Sequence, residues 1–310
     1  MAVGTAALST QRIGNHPEYG LKIVGFAAPL VVLGVAVLTV YDPLLALGGG
    51  IAAVVAVLLV LRIDLALLLL VAAAPLESAI QISPNPQLSV TKIAGAICFL
   101  SFALFLVMSR RRILLDRSHA IVFLLLALAL LSTLQAEEIS PALTVTIRYG
   151  SFVALFLIVS QFLGDPTLQL RLAWVLSIAS TLAGCQAVYN FLVLENALLA
   201  SPNYGHPNDL AFILATTLPL TMWLLRERGL RRILVIMMIV AISVAVVLTF
   251  SRGALVGLGA AAVWHVVTER RHLPLLLAAF LLAFAVVATL VRSNPGQFEI
   301  GLEAKQDVAG

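Results

Sequence analysis

Two short polar runs interrupt a chain that is otherwise almost continuously apolar: Tyr204, Gly205, His206, Pro207, Asn208, and Thr249, Phe250, Ser251, Arg252, Gly253, Ala254. Arg252 has about twenty mostly apolar residues on each side, an expensive setting for a guanidinium in hydrocarbon, so it marks a site for an anion or a partner. Its planar fork stays charged when partly desolvated and grips phosphate oxygens two at a time. Arg148 and Lys92 are two further cations set in or beside apolar blocks, His206 is a candidate proton acceptor, and Asn208 is a candidate neutral hydrogen-bonding group. The chemistry within reach of such a set is the holding of a phosphorylated ligand.

Membrane-spanning helices must position these residues. Hydrophobic residues make up 61% of 310 positions and charged residues 11%, and the mean hydropathy is +1.07, which excludes an ordinary soluble domain. The apolar residues come in blocks rather than in the alternation of barrel strands, so the expected fold is all-α, a single polytopic membrane domain over residues 1–310. The blocks predict about eleven spans: 22–40, 44–61, 64–80, 90–108, 119–134, 141–163, 172–194, 209–225, 232–249, 253–268 and 273–291. Residues 1–21 form a tail that carries Arg12, and no cleavage site follows the first block, which is expected to stay as an anchor. Residues 292–310 form a second tail.

Placing the amino terminus in the cytoplasm puts Arg12, Lys22, Arg62, the Arg110 to Arg117 cluster, Arg171, the Arg226 to Arg232 group, Arg270 and Arg271 on that side, as the positive-inside rule requires. Lys92, Arg148, Arg252, Arg292 and Lys305 fall on the outer side and need another reason to be there. His206 and Asn208 share that face. Each also has a purely structural reading: Lys92 snorkels to the interface, Arg148 pairs with Glu77 or Glu138, His206 is an exposed loop residue, and Ser251, Arg252, Gly253 is a tight turn in which Gly253 permits the backbone.

Other chemistry is thinly represented. The net charge of +4 reflects basic clusters between spans, so no nucleic-acid partner is expected. Cys98 and Cys185 read as small core residues. No phosphate-binding glycine loop, His-Glu-x-x-His run or Asp cluster is present, and neither a metal nor a cofactor is expected. Gly253, Gly257 and Gly259 read as small-residue helix packing.

At the outer face of a bacterial-type inner membrane, such cations would hold a phosphorylated lipid carrier and stabilise the pyrophosphate that leaves as a sugar is transferred, while the attacking hydroxyl needs a base. The run from Asn203 to Ala211, the apolar helix after it, and Leu248, Thr249, Phe250, Ser251, Arg252, Gly253, Ala254 resemble the O-antigen ligase and polymerase family. The resemblance implies a metal-independent membrane glycosyltransferase that moves a glycan from undecaprenyl diphosphate to a lipid or saccharide acceptor in the making of lipopolysaccharide, capsule or exopolysaccharide. It implies that Arg252 and Arg148 contact the diphosphate as catalytic and binding residues, with Lys92 and Asn208 as further binding residues. The family also has a large outer loop with an essential histidine, which residues 292–310 lack. The expectation is therefore a truncated member that binds donor with weak or no turnover, or one in which His206 takes over part of that role. An anion or small-solute transporter and a non-catalytic membrane scaffold are the alternatives from other classes.

Overall fold

A computed structural model describes residues 43–77, 89–109, 113–136, 138–162, 164–193, 207–296 and 298–299. Ten α-helices account for nearly all of them: α1 Pro43–Leu61, α2 Ile63–Leu76, α3 Val90–Ser109, α4 Arg117–Leu134, α5 Ile139–Phe162, α6 Pro166–Val193, α7 Pro207–Trp223, α8 Leu230–Leu248, α9 Arg252–Thr268 and α10 Leu273–Ser293. Short 3₁₀ turns at Leu224–Arg226 and Arg270–His272 follow α7 and α9. No strand occurs among the described residues. The all-α class follows from the solvent, because hydrocarbon offers no partner for a backbone N–H or C=O and each span must bond to itself. Large apolar side chains on the outside, such as Val107, Leu134 and Phe284, fit such surroundings.

Each expected span from 44 to 291 overlaps one helix, although α6 begins at Pro166, ahead of its expected start at 172, and the end of the expected span 64–80 lies outside the described residues. Seven described helices are long and apolar enough to cross a membrane, and an eighth crossing is made if α1 and α2 form one bent span. Those two meet at 114° around Arg62, whose guanidinium pairs through two nitrogens with Asp64 at 3.1 and 3.0 Å. The helix α9 has 17 residues, roughly 25 Å at 1.5 Å per residue, short of a core about 30 Å thick. The expected span 22–40 lies outside the described residues.

By packing, the chain divides into two compact units. One comprises residues up to Leu67 and Gly95–Gln169. Here α4 starts with a reciprocal cap: the Asp116 carboxylate accepts from the Ser118 and His119 backbone N–H groups, and the His119 ring bonds back to Asp116. The other ring nitrogen reaches Ser160 Oγ of α5 at 2.8 Å, and Thr133 meets Thr146 near the opposite end of the α4–α5 pair at 2.5 Å.

The second unit comprises Leu68–Ala94 and residues from Leu170 onward. Its core is built from one face each of α6, α7 and α10 around α8, whose second half is buried on all sides from Ile242 to Val246, and it includes Phe191, Leu210, Leu214, Leu218, Met222, Ile239, Ile242 and Leu248. Two buried hydroxyl pairs, Ser177 with Thr221 at 2.9 Å and Ser180 with Thr217 at 3.0 Å, join α6 to α7. Gly184 lets α6 approach α8, since a Cβ there would lie 3.1 Å from the Ala245 Cβ. The packing holds α7 against α8 and also against α9. That last contact forms the candidate site.

Candidate functional site: a cleft between two helix amino termini

The α8–α9 turn is held by its own side chains. Thr249 Oγ1 donates to the Val246 carbonyl at 2.7 Å and accepts from the Ser251 N–H at 3.3 Å. Phe250 takes the left-handed conformation, φ +52°, which costs a residue with a Cβ on the order of 1–2 kcal/mol. Its ring stands edge-on to Phe298, which in turn packs edge-on against Phe191 of the core. Aromatic contact thus fixes the strained residue, and the chain after α10 supplies the clamp. The buried Ser251 then turns extended as the N-cap of α9, and Arg252 is the first helical residue, exposed to the surroundings.

Gly253 is helical, and a Cβ added to it would meet nothing within 4 Å. The turn therefore does not depend on a glycine conformation at 253; the positive φ falls on Phe250. Of the three glycines expected to pack against a neighbouring helix, only Gly257 would bring a Cβ within 4 Å of another atom, Ala215 Cβ at 3.9 Å. Gly253 and Gly259 border open space instead.

Across from this turn, α7 begins at Pro207, a residue suited to a first helical position because the N–H it lacks would have no partner there. Exposed Asn208 and Asp209 follow in its first turn. The two helix starts border a cleft of about 1130 Å³ lined at its mouth by Asn208, Asp209, Ser251, Arg252 and Gly253, and further along by Phe212, Ala215, Pro219, Gly257 and Ala261. Pro219 cannot supply the helical bond to the Ala215 carbonyl. From Asn208 to Pro219 the cleft runs roughly 16 Å along α7 at 1.5 Å per residue.

The mouth is electropositive. Each helix start carries about half a positive charge, and Arg252 adds a full one against the Asp209 carboxylate. Backbone N–H groups of a first helical turn point outward and bind phosphates readily. The cleft thus joins a mouth that favours an anion to an apolar floor.

Of the residues singled out from sequence, Asn208 and Arg252 are brought together here. Lys92 is exposed at the start of α3 and is not among the residues lining the cleft. Arg148 belongs to α5 in the other unit, and its side chain lies outside the described residues, as does His206. Phe212, Ala215 and Pro219 are ordinary residues of an apolar span, but their recurrence at intervals of three and four after Asn208 is the spacing of one helix face. The sequence reading missed His265, Glu269 and His272, which converge at the opposite end of α9.

Comparison with protein-family profiles, with curated proteins and with solved structures finds no match to this chain.

Proposed function

We propose that this chain is a multi-pass membrane glycosyltransferase of the O-antigen ligase or polymerase type, with about eleven spans, a cytoplasmic amino terminus and its working face on the periplasmic side of a bacterial inner membrane. The observation that carries the reading is the cleft in which Arg252, Asn208 and two helix amino termini surround a cationic mouth over an apolar floor. In this account the mouth holds the diphosphate of an undecaprenyl-linked glycan and the floor takes the first part of the lipid.

The acceptor hydroxyl oxygen attacks the anomeric carbon of the donor sugar. The carbon–oxygen bond to phosphate breaks, its electron pair stays on the leaving diphosphate, and the hydroxyl proton passes to a base, for which His206 is the candidate. Charge grows on the diphosphate as that bond breaks, so Arg252 and the helix N–H groups stabilise the transition state more than the ground state, which is the requirement for catalysis. Arg148 is proposed as a second diphosphate contact and Lys92 as a weaker one. The test is glycan transfer from an undecaprenyl diphosphate donor in reconstituted membranes, comparing the native chain with Arg252→Ala. Transfer that falls by about 100-fold or more in the variant supports the role; equal rates refute it.

Transport of an organic anion is the second reading, favoured by the 114° break between α1 and α2, since discontinuous helices commonly line transport sites. Accumulation of an anion in proteoliposomes carrying the protein, with no transfer activity, would select it.

A further inference from the structure

His265, Glu269 and His272 meet where α9 ends, at the far end of that helix from Arg252. His265 Nε2 lies 3.2 Å from His272 Nδ1, His272 Nδ1 lies 3.2 Å from Glu269 Oε2, and all three ligand atoms fall within 4.8 Å of one another. Both imidazoles are buried, at 8% and 2% exposure. A tetrahedral ion with bonds of about 2.0–2.1 Å to nitrogen and oxygen sets its ligand atoms about 3.3–3.4 Å apart. Two edges of the triangle already have close to that length.

Backbone bonds fix the spacing. The Glu269 N–H donates to the His265 carbonyl at 2.7 Å and the His272 N–H to the Glu269 carbonyl at 3.0 Å, which closes the helix end into the 3₁₀ turn. Glu269 Oε1 accepts from Arg226 Nε at 2.8 Å, and Arg226 lies over the Trp223 ring at the end of α7. The carboxylate is thus oriented from outside, with Oε2 turned to the histidines, as outer partners orient metal ligands elsewhere. His272 Nδ1 carries either a hydrogen or a lone pair, so with protons alone it serves both neighbours only as a shared donor. The two rings lie within 16° of parallel with centroids 5.5 Å apart, so their facing nitrogens meet nearly head-on, and an ion shared with Glu269 is held once the rings tilt their lone pairs off that line toward the carboxylate.

We propose that His265, Glu269 and His272 bind one divalent transition-metal ion of the zinc type, with solvent in the fourth position. Two neutral imidazoles and one carboxylate are a zinc donor set, and calcium or magnesium would demand more oxygens. The ion ties the α9–α10 turn to the end of α7 through Arg226. It stands apart from the Arg252 cleft and from any reaction there.

The experiment uses the purified full chain, with any affinity tag removed, stripped with a chelator and desalted in detergent. Titration with Co²⁺ is followed by visible absorption, and Zn²⁺ is added as competitor. The expected result is one Co²⁺ per chain with the intense bands of a four- or five-coordinate ion, displaced by Zn²⁺ and lost in the His265→Gln/His272→Gln variant. Glu269→Gln keeps the shape and a neutral contact to Arg226, so it guards against a folding defect and should weaken binding by at least about tenfold. Absent bands, or bands that persist in both variants, would overturn the assignment.

Discussion

Phe250 and Phe298 stand edge to face, with ring centroids 6.2 Å apart and planes at 88°. The contact joins the residue in the left-handed conformation, immediately before the Arg252 turn, to the segment after α10, and through Phe191 to the core. The position of Arg252 is therefore set by tertiary packing as well as by its own turn.

A double-mutant cycle measures this directly. Phe250→Leu and Phe298→Leu are each expected to lower stability, and their coupling should fall at about 0.5–1.5 kcal/mol, the range for aromatic pairs. Equilibrium unfolding in mild detergent reads the value. Strict additivity would mean that the two rings are neighbours without mutual support.

Two glycines separate packing from ligand space. Gly184→Leu forces a side chain toward Ala245 and Leu214, where a Cβ alone would already be tight, and is expected to cost on the order of 1–3 kcal/mol or more. Gly253→Leu meets open space, so the protein should keep or slightly raise its melting temperature while the added side chain enters the cleft and weakens lipid-diphosphate binding. Thermal melts and binding measurements on both variants distinguish the two effects.

At the start of α4, the His119 ring and N–H, bonded to Asp116, hold its carboxyl below the usual carboxylate range. A depressed pKa means that the ionised cap favours the folded form at neutral pH, and that this contribution disappears as pH falls through the lowered value. Asp116→Asn should flatten that part of the acid limb in a plot of melting temperature against pH. An unchanged acid limb would remove Asp116 from the account.

The mouth of the cleft also makes a charge prediction. Asp209 is the carboxylate among its lining residues, so Asp209→Asn should tighten binding of a lipid diphosphate by about threefold at low salt, and less as salt screens the interaction. Isothermal titration at two ionic strengths checks both the sign and the screening.

The helices were legible because a bilayer requires long apolar blocks, and those blocks also place their ends: the expected span 232–249 is observed as Leu230–Leu248. The 114° bend at Arg62 is not legible, because a single polar residue between the expected spans 44–61 and 64–80 does not disclose the angle between them. At the site, Arg252 and Asn208 stood out as polar residues in an apolar text. Phe250 did not, since the nearby Gly253 is the residue normally credited with unusual backbone. Phe298 is a lone aromatic in a polar tail with no periodicity to announce its contact. His265, Glu269 and His272 have the i, i+4, i+7 spacing of one helix face, but they lie across the gap between the expected spans 253–268 and 273–291, where no continuous helix face is expected.

The most direct test is the affinity of the purified chain, in lipid nanodiscs, for undecaprenyl diphosphate, with Arg252→Lys and Arg252→Ala alongside. The account predicts a loss of about 10-fold to 100-fold for Ala and a partial loss for Lys, because a point charge replaces a two-pronged grip. Equal affinity in all three proteins, with their melting temperatures unchanged, would contradict it.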